Sequence, residues 1–217
     1  MMNKWLMTLH EELITLALRR PLFDSEPEFQ HELAWQLQTM GLADKVGLDQ
    51  PIQSLTELTH VDLLLIQGTE RIGIKLMYRK RGLDLVLPDK QDIPLKEQGA
   101  EDLSRYDFWK GVCQIETLIN ENDLDAGFSL LLTNNPRYWL KGADGTIDHA
   151  FRLHPERAPV SGPLPWAKHT DSRTMKNRPN LRVRNAYPLT WHDYSLPHPE
   201  HPSRYLMLAN LKPSKRS

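Results

Sequence analysis

Apolar residues recur every three or four positions in two stretches near the start of the chain, a spacing that predicts amphipathic helices. The first stretch runs from Trp5 to Leu18 and ends before Pro21. The second begins after Ser25, which forms a capping box with Glu28, and Gly41 supplies its stop. Its apolar stripe consists of Phe29, Leu33, Leu37 and Met40.

Further along the chain the apolar pattern changes to that of strands. Residues 60–66 read HVDLLLI and residues 71–80 read RIGIKLMYRK, two runs separated by a short polar turn that predicts an antiparallel hairpin. A long helix is predicted from Glu101 to about Asn122, and the run GFSLLLT at 127–133 predicts a buried strand. This order of elements predicts a mixed α/β fold with a central mixed sheet flanked by helices.

The last third of the chain has a different pattern. It holds most of the 16 prolines, and Pro155 to Pro202 is predicted to form long loops. Short strands are predicted only near Phe151 and from Arg204 to Leu208. We therefore expect one domain over 1–217, with an N-terminal helix at 1–21, a core at 22–140 and a loop-rich extension at 141–217.

The composition excludes some classes of protein but does not indicate a function. The chain has 217 residues and a net charge of -1, which by itself gives no case for a nucleic-acid partner but allows a local basic surface. The single cysteine, Cys113, excludes an internal disulfide framework and fits a reducing cytoplasm. No uncharged run approaches the length of a membrane span. We expect a cytoplasmic protein with no membrane partner.

Asp62 is the first candidate for chemistry, because a carboxylate inside an apolar strand is costly to bury without a partner. One interpretation is structural: Asp62 lies at a strand end, where it caps a loop or pairs with an arginine. The other is functional: Asp62 is a ligand for a hard cation such as Mg²⁺, which binds one or two carboxylates. The residues alone leave both open.

Five segments in order carry a resemblance to a known family. They are SEPEFQHELAWQL, the hairpin HVDLLLI with RIGIKLMYRK, RYDFWKGVCQIETL, LLLTNNPRYW and WHDYS. Together they resemble a bacterial branch of the PD-(D/E)XK nucleases, the restriction-endonuclease-like superfamily, over about 22–208. The resemblance implies a restriction-endonuclease-like core and a Mg²⁺ site for phosphodiester hydrolysis. It places Glu26 at the helix glutamate and Asp62 at the strand aspartate of that site.

The third motif departs from the family. Where the family reads I-E-L-K-Y, this chain has Lys75 in place of the metal-binding glutamate and Met77 in place of the lysine. A cation at a metal position repels Mg²⁺, and methionine neither accepts a proton nor donates a strong hydrogen bond. In the long helix, Gly111 stands where the family has a second acid. This pattern predicts a scaffold that is kept and a metal site that has been lost. If Lys75 points into the former site, we expect it to form an ion pair with Asp62 or Glu26 in place of the metal ion.

Two rearrangements could preserve the metal site. In a shifted register Lys75 would be the catalytic lysine, which leaves Gly73 at the acid position. Alternatively, a carboxylate from a neighbouring element could enter the site, with Glu70 the first candidate and Glu28 or Glu32 after it.

Basic residues flank the hairpin and the long helix. Arg71, Arg79, Lys80, Arg81 and Lys110 are candidates for contacts with nucleic-acid phosphates. A second basic stretch is predicted as a loop that could order on a nucleic acid or a protein partner; it contains Arg173, Lys176, Arg178, Arg182 and Arg184.

Three functions follow as hypotheses. The first is a catalytically degenerate nuclease-fold protein, a pseudoenzyme, that binds DNA or another nucleic acid or a protein partner. The second is an active Mg²⁺-dependent DNA endonuclease with a rearranged site. The third is an interaction subunit without nucleic-acid contact. The side chains around Asp62 distinguish them.

Overall fold

A computed structural model of the chain describes residues 2–55, 57–86, 92–95, 98–197 and 200–212. Its helices are α1 (Met2–Arg19), α2 (Glu26–Thr39), α3 (Glu101–Asn120) and α4 (Ser172–Asn177). Its strands are β1 (Lys45–Gln53), β2 (Leu58–Gln67), β3 (Glu70–Arg79), β4 (Leu83–Val86), β5 (Asp92–Leu95), β6 (Ala126–Thr133), β7 (Val160–Leu164), β8 (Leu181–Tyr187), β9 (Trp191–Ser195) and β10 (Ser203–Leu211).

Six strands form the central sheet, in the order β1-β2-β3-β6-β10-β9. Strands β3 and β6 are parallel, and every other neighbouring pair in this sheet is antiparallel. The predicted hairpin of β2 and β3 is confirmed, with pairing from Leu63–Ile74 to Gln67–Glu70. Helix α3 lies in the crossover between the parallel strands, the usual way to join such a pair. The mixed α/β class is thus confirmed.

The start of α2 follows the predicted capping signal. The Ser25 hydroxyl accepts the backbone N–H of Glu28 at 3.2 Å. The Glu28 carboxylate reaches back to the N–H of Asp24 at 2.6 Å, one residue earlier than in the standard capping box. Beyond the end of the helix, Gly41 has a φ of +67°, which stops it as predicted.

The sheet has helices on both faces. Alternate residues of β3, namely Ile72, Ile74, Leu76 and Tyr78, belong to a core shared with α1 and α2. On the other face, Met77 joins a second core that contains α3 and much of the chain after β6. Within the described residues, no helix is both long and apolar enough to cross a bilayer.

The last third of the chain is more regular than the sequence predicted. Between Pro155 and Pro202 the chain forms β7, α4, β8 and β9 instead of long loops. Strand β10, which includes the predicted strand Arg204 to Leu208, lies between β6 and β9 in the central sheet. The described residues between 141 and 212 are therefore part of the core and not a loop-rich extension outside it. The predicted strand near Phe151 is wrong, because His149–Phe151 form a 3₁₀ turn.

Candidate functional site

The candidate site lies where β2 separates from β3. Backbone pairing of the two strands ends at Ile74, so the next N–H groups on that edge of β3 lose their partners. Two carboxylates replace the missing strand. Asp62 accepts the N–H of Leu76 at 2.5 Å, and Glu26 accepts the N–H of Tyr78 at 2.8 Å. The two acids that the resemblance implies are thus brought to one edge of β3.

An irregularity in β1 accompanies this separation. Asp49, opposite Asp62 in β1, has a φ of +48°, and the pairing of β1 with β2 skips it. From α2, the buried amide of Gln30 donates to the Asp49 carboxylate at 3.0 Å and to the Asp62 carbonyl at 2.7 Å. Gln30 therefore ties α2 to both strands at the position of Asp62.

Lys75 forms the ion pair expected of a cation at this position. Its ammonium nitrogen lies 3.5 Å from Asp62 Oδ1, and it donates to the carbonyl of His60 at 3.1 Å. Each side chain of the pair is 23% exposed, so the ammonium is shielded but still reachable from solvent. Asp62 thus caps a strand edge and pairs with a basic side chain, as the structural interpretation expects, although the partner is a lysine and not an arginine.

Glu26 is also held by a cation. Arg79 Nη1 lies 2.9 Å from Glu26 Oε2, and its Nε donates to the hydroxyl of Ser104 on α3 at 3.1 Å. Arg79 therefore bridges the start of α2 and the start of α3. The carboxylates of both predicted metal ligands are each paired with a basic side chain of β3.

These residues do not fit a divalent cation. The ammonium of Lys75 sits against the carboxylate that would bind it, and like charges repel. Met77, at the lysine position, is buried in the second core. Among the residues that the structure describes, no three acidic, histidine or cysteine side chains are placed to share a metal ion.

The prediction that Glu70 could replace the missing acid is wrong. Glu70 opens β3, five residues before Lys75, which places it roughly 16 Å away along the strand. Its carboxylate accepts the indole N–H of Trp5 at 3.3 Å instead. The other substitutes, Glu28 and Glu32, form ion pairs with arginines at the end of α1.

In the shifted register the acid position is Gly73, where packing leaves no room for a carboxylate side chain. A Cβ added to Gly73 would lie 2.5 Å from Leu124 Cδ1, too close for any side chain to fit without displacing Leu124. A Cβ added to Gly127, its neighbour in the parallel pair, would likewise clash with the side chain of Ile115 of α3. These glycines let α3 and the chain after it pack closely against the sheet.

The acids and Lys75 line an open cleft of about 390 Å³ between β3 and α3. Helix α3 contributes Asp107, Lys110, Gly111 and Gln114, whose spacing puts them on one helix face. From β6, the buried hydroxyl of Ser129 has no hydrogen-bond partner among the described residues. The sequence analysis missed Ser129, although a polar residue inside a fully buried strand is itself a signal.

The predicted phosphate-binding residues are dispersed. Lys110 lines the cleft, is exposed and has no partner among the described residues, whereas Arg79 is occupied by Glu26. Lys80 is buried and donates to the carbonyl of Asp24. Arg71 lies at the opposite end of β3, and exposed Arg81 follows the strand. Of the five, Lys110 alone combines exposure with a place in the cleft.

Burial raises the pKa of Asp62 above its ordinary value, and the ammonium of Lys75 and the N–H of Leu76 offset this only in part. An acid with a raised folded pKa is less stable ionised in the fold than in the unfolded chain. Its contribution to stability therefore increases as the pH falls through the folded pKa toward the unfolded value of about 3.9. Burial therefore makes the ionised form of Asp62 less favourable, and groups with pKa values shifted in this way are common at functional sites.

We expect Asp62→Ala to lower the free energy of unfolding by about 2 kcal/mol, because it orphans the N–H of Leu76 and leaves Lys75 unpaired. Asp62→Asn keeps an acceptor for that N–H and should lower it by about half as much. Urea denaturation followed by tryptophan fluorescence measures both. Identical midpoints for the wild type and Asp62→Ala would contradict these contacts.

No protein-family model, curated protein or solved structure matches this chain. The function must therefore be argued from the chemistry of the cleft, because no matching protein indicates it.

Proposed function

We propose that this chain is a nuclease-like protein without a metal site, which binds a nucleic-acid backbone in the cleft between β3 and α3 and does not hydrolyse it. The observation that carries the proposal is the ammonium of Lys75 beside Asp62, at 3.5 Å. A built-in cation there can attract a phosphate oxygen in the place of a metal ion. The resemblance to the PD-(D/E)XK nucleases supports the same site.

The cleft has the groups that phosphate binding needs. Lys75 and Lys110 supply ammonium donors, from β3 and α3 respectively. Ser129 adds a buried hydroxyl without a partner among the described residues. Lysine binds phosphate as a compact point charge and donates up to three hydrogen bonds. The two lysines on facing elements suit a backbone that passes along the cleft.

The same groups do not supply hydrolysis. A metal ion would polarise the phosphate and generate hydroxide near neutral pH, and the described residues do not fit one. Lys75 is engaged by Asp62 and the His60 carbonyl, so it is not a free base. Met77 offers no proton transfer. Among the described residues no contact supports an active Mg²⁺-dependent endonuclease, whereas Lys75, Lys110 and Ser129 supply groups that could bind a phosphate.

The test measures binding and cleavage together. Fluorescence anisotropy with labelled oligonucleotides should show binding that weakens with salt and is unchanged by EDTA. Lys75→Gln and Lys110→Gln should each weaken it roughly fivefold, about 1 kcal/mol. Lys45→Gln removes the same charge from an exposed, unpaired lysine of β1 at the other end of the sheet, and should change nothing. Plasmid and single-stranded DNA should stay intact with Mg²⁺ or Mn²⁺.

Two results would overturn the proposal. Metal-dependent cleavage by the unmodified protein, abolished by Asp62→Ala, would show that a working metal site exists. Binding that is absent, or that responds equally to Lys45→Gln and to the cleft variants, would show that the cleft is not the binding site. Circular dichroism of every variant separates these results from misfolding.

A further inference from the structure

Positive charge is concentrated in one segment of a chain that is nearly neutral overall. Residues 172–187 carry five arginines and lysines and no acidic residue, whereas the whole chain has 27 basic and 28 acidic residues. The segment is α4, β8 and the short connection between them. The sequence predicted a loop that orders on binding, but the segment already forms regular structure.

Four of these five cations are exposed and form no ion pair with a described residue. They are Arg173 and Lys176 on α4 and Arg182 and Arg184 on β8, and together we call them the basic face. The fifth, Arg178, binds the two carboxylate oxygens of Asp107 at 3.3 Å each. Unneutralised charge of one sign on one surface favours an anionic partner.

The backbone beneath the basic face is held in place. Asp171 caps α4 by accepting the N–H of Thr174 at 2.8 Å. Under β8, the buried carboxylate of Glu116 accepts hydrogen bonds from the backbone N–H groups of Arg184 and Asn185, each at 2.9 Å. Arg182 and Arg184 are two residues apart on a strand, so their side chains leave the same side. A backbone that is already ordered loses less conformational entropy on binding.

The basic face adjoins the cleft through α3. Asp107, which binds Arg178, also lines the cleft, and Lys110 follows it by one helical turn. A second link joins β8 to the same helix, because the Cys113 thiol contacts the carbonyl of Arg182 at 3.4 Å. Lys110 of the cleft and the segment that carries the basic face are therefore connected through one element, α3.

We propose that the basic face extends the cleft into a binding surface for duplex nucleic acid, recognised through its phosphates. This rests on the proposed function of the cleft. The choice of a duplex follows from four described aromatic residues around the face, which are Tyr106, Phe151, Trp166 and Tyr187. All four are buried, so none of them offers a ring for base stacking. Proteins that bind single strands use exposed aromatics to stack the bases.

The polar atoms of these aromatics are also occupied. The indole N–H of Trp166 donates to the carbonyl of Arg178 at 2.8 Å, and the hydroxyl of Tyr106 donates to the carbonyl of Pro179 at 2.8 Å. The rings thus support the connection between α4 and β8 from beneath. The face therefore offers a ligand positive charge but no stacking surface, which suits the regularly spaced phosphates of a duplex. Contacts of this kind do not distinguish one base sequence from another.

The test compares a blunt 20-base-pair duplex with its single strands, as DNA and as RNA, by anisotropy over a series of salt concentrations. We expect the duplex to bind more tightly, with no dependence on sequence. The double variant Arg182→Gln, Arg184→Gln should reduce the slope of log affinity against log salt by about 1.8, since each lost phosphate contact removes about 0.9. The control Lys4→Gln, Lys45→Gln makes the same charge change on exposed, unpaired lysines elsewhere.

The outcomes separate this inference from the function proposed for the cleft. If Lys75→Gln and Lys110→Gln weaken binding while the arginine double variant and the control both leave it unchanged, the basic face is overturned and the cleft stands. The reverse result overturns the cleft and supports the basic face. Single strands that bind as tightly as the duplex overturn the choice of ligand. Polyglutamate that competes as well as the duplex would show that the face recognises an acidic protein instead.

Discussion

Asp148→Ala is expected to lower the free energy of unfolding by about 3–5 kcal/mol, the largest effect of any single change to a described ion pair. Asp148 is 2% exposed, and Arg105, itself 5% exposed, binds its Oδ2 through two nitrogens at 2.6 Å. A second guanidinium, that of Arg152, lies 3.4 Å from the same oxygen. Removing the one acid leaves two shielded cations without a counter-charge. Urea denaturation of the variant measures the loss.

An exposed ion pair provides the control for this prediction. Asp193 also pairs with an arginine, Arg204, at 2.9 Å, but its side chain is 80% exposed, so Asp193→Ala should change stability by less than about 1 kcal/mol. Equal effects of the two variants would contradict the role of burial.

Low pH should lower the stability of the wild type more than that of the variant Asp148→Asn. Burial alone would raise the pKa of Asp148, but Arg105, the Thr146 hydroxyl and Arg152 outweigh it and hold the pKa below its usual range. A lowered folded pKa adds stability above the unfolded pKa of about 3.9, and this is lost as the pH falls through the folded pKa. The stability difference between the wild type and Asp148→Asn should therefore shrink below about pH 4. A constant difference between pH 7 and pH 3 would contradict the ion pair.

Glu116→Ala is expected to cost about 3–4 kcal/mol, because it removes the acceptor that satisfies the irregular end of β8. The buried carboxylate accepts the N–H groups of Arg184 and Asn185 and the hydroxyl of Tyr187, the last at 2.7 Å. Without it the two partly buried N–H groups and the buried hydroxyl of Tyr187 lose this acceptor. Thermal and urea unfolding, followed by circular dichroism, measure the loss.

Two further variants test the mechanism of this loss. Glu116→Gln keeps the shape but turns an N–H₂ group toward the donors, so it should still cost about 2 kcal/mol. Glu11→Ala, on the exposed side of α1, should stay within about 0.5 kcal/mol of the wild type. Full stability in Glu116→Gln would argue against a donor-filled environment. Because Glu116 also positions Arg184, Glu116→Ala should weaken binding to a duplex as well.

Local signals predicted those elements whose patterns do not depend on distant residues. The capping residues Ser25 and Glu28 located the start of α2 to the residue. The alternation of β3 and the buried run of β6 located two central strands, and α3 ended within two residues of its predicted end. Strand β1 was missed, because Gly47 and Pro51 interrupt its pattern; proline is tolerated there since β1 is an edge strand.

The candidate site was predictable in part. The pairing of Lys75 with Asp62 followed from charge and from the hairpin, because strands that neighbour in sequence usually pair in space. The partner of Glu26 did not follow, since Arg79 is 53 residues away and reaches it only once α2 packs on the sheet. The suggestion that Glu70 enters the site failed for a different reason. Glu70 is only five residues before Lys75, but both lie on one extended strand, so Glu70 is at the far end of that strand.

The sequence by itself determined the helices and strands with strong periodicity, the mixed α/β class, and the presence of Lys75 and Met77 on the strand that pairs with the strand of Asp62. Those properties reside in neighbouring residues, where spacing and capping act over one or two turns or along one strand. Only the tertiary structure decided that β10 enters the sheet beside β6, that Glu116 supports β8, and that the basic face adjoins the cleft through α3. These depend on contacts between residues far apart in the chain, which are selected by packing and by the satisfaction of buried polar groups, not by local pattern.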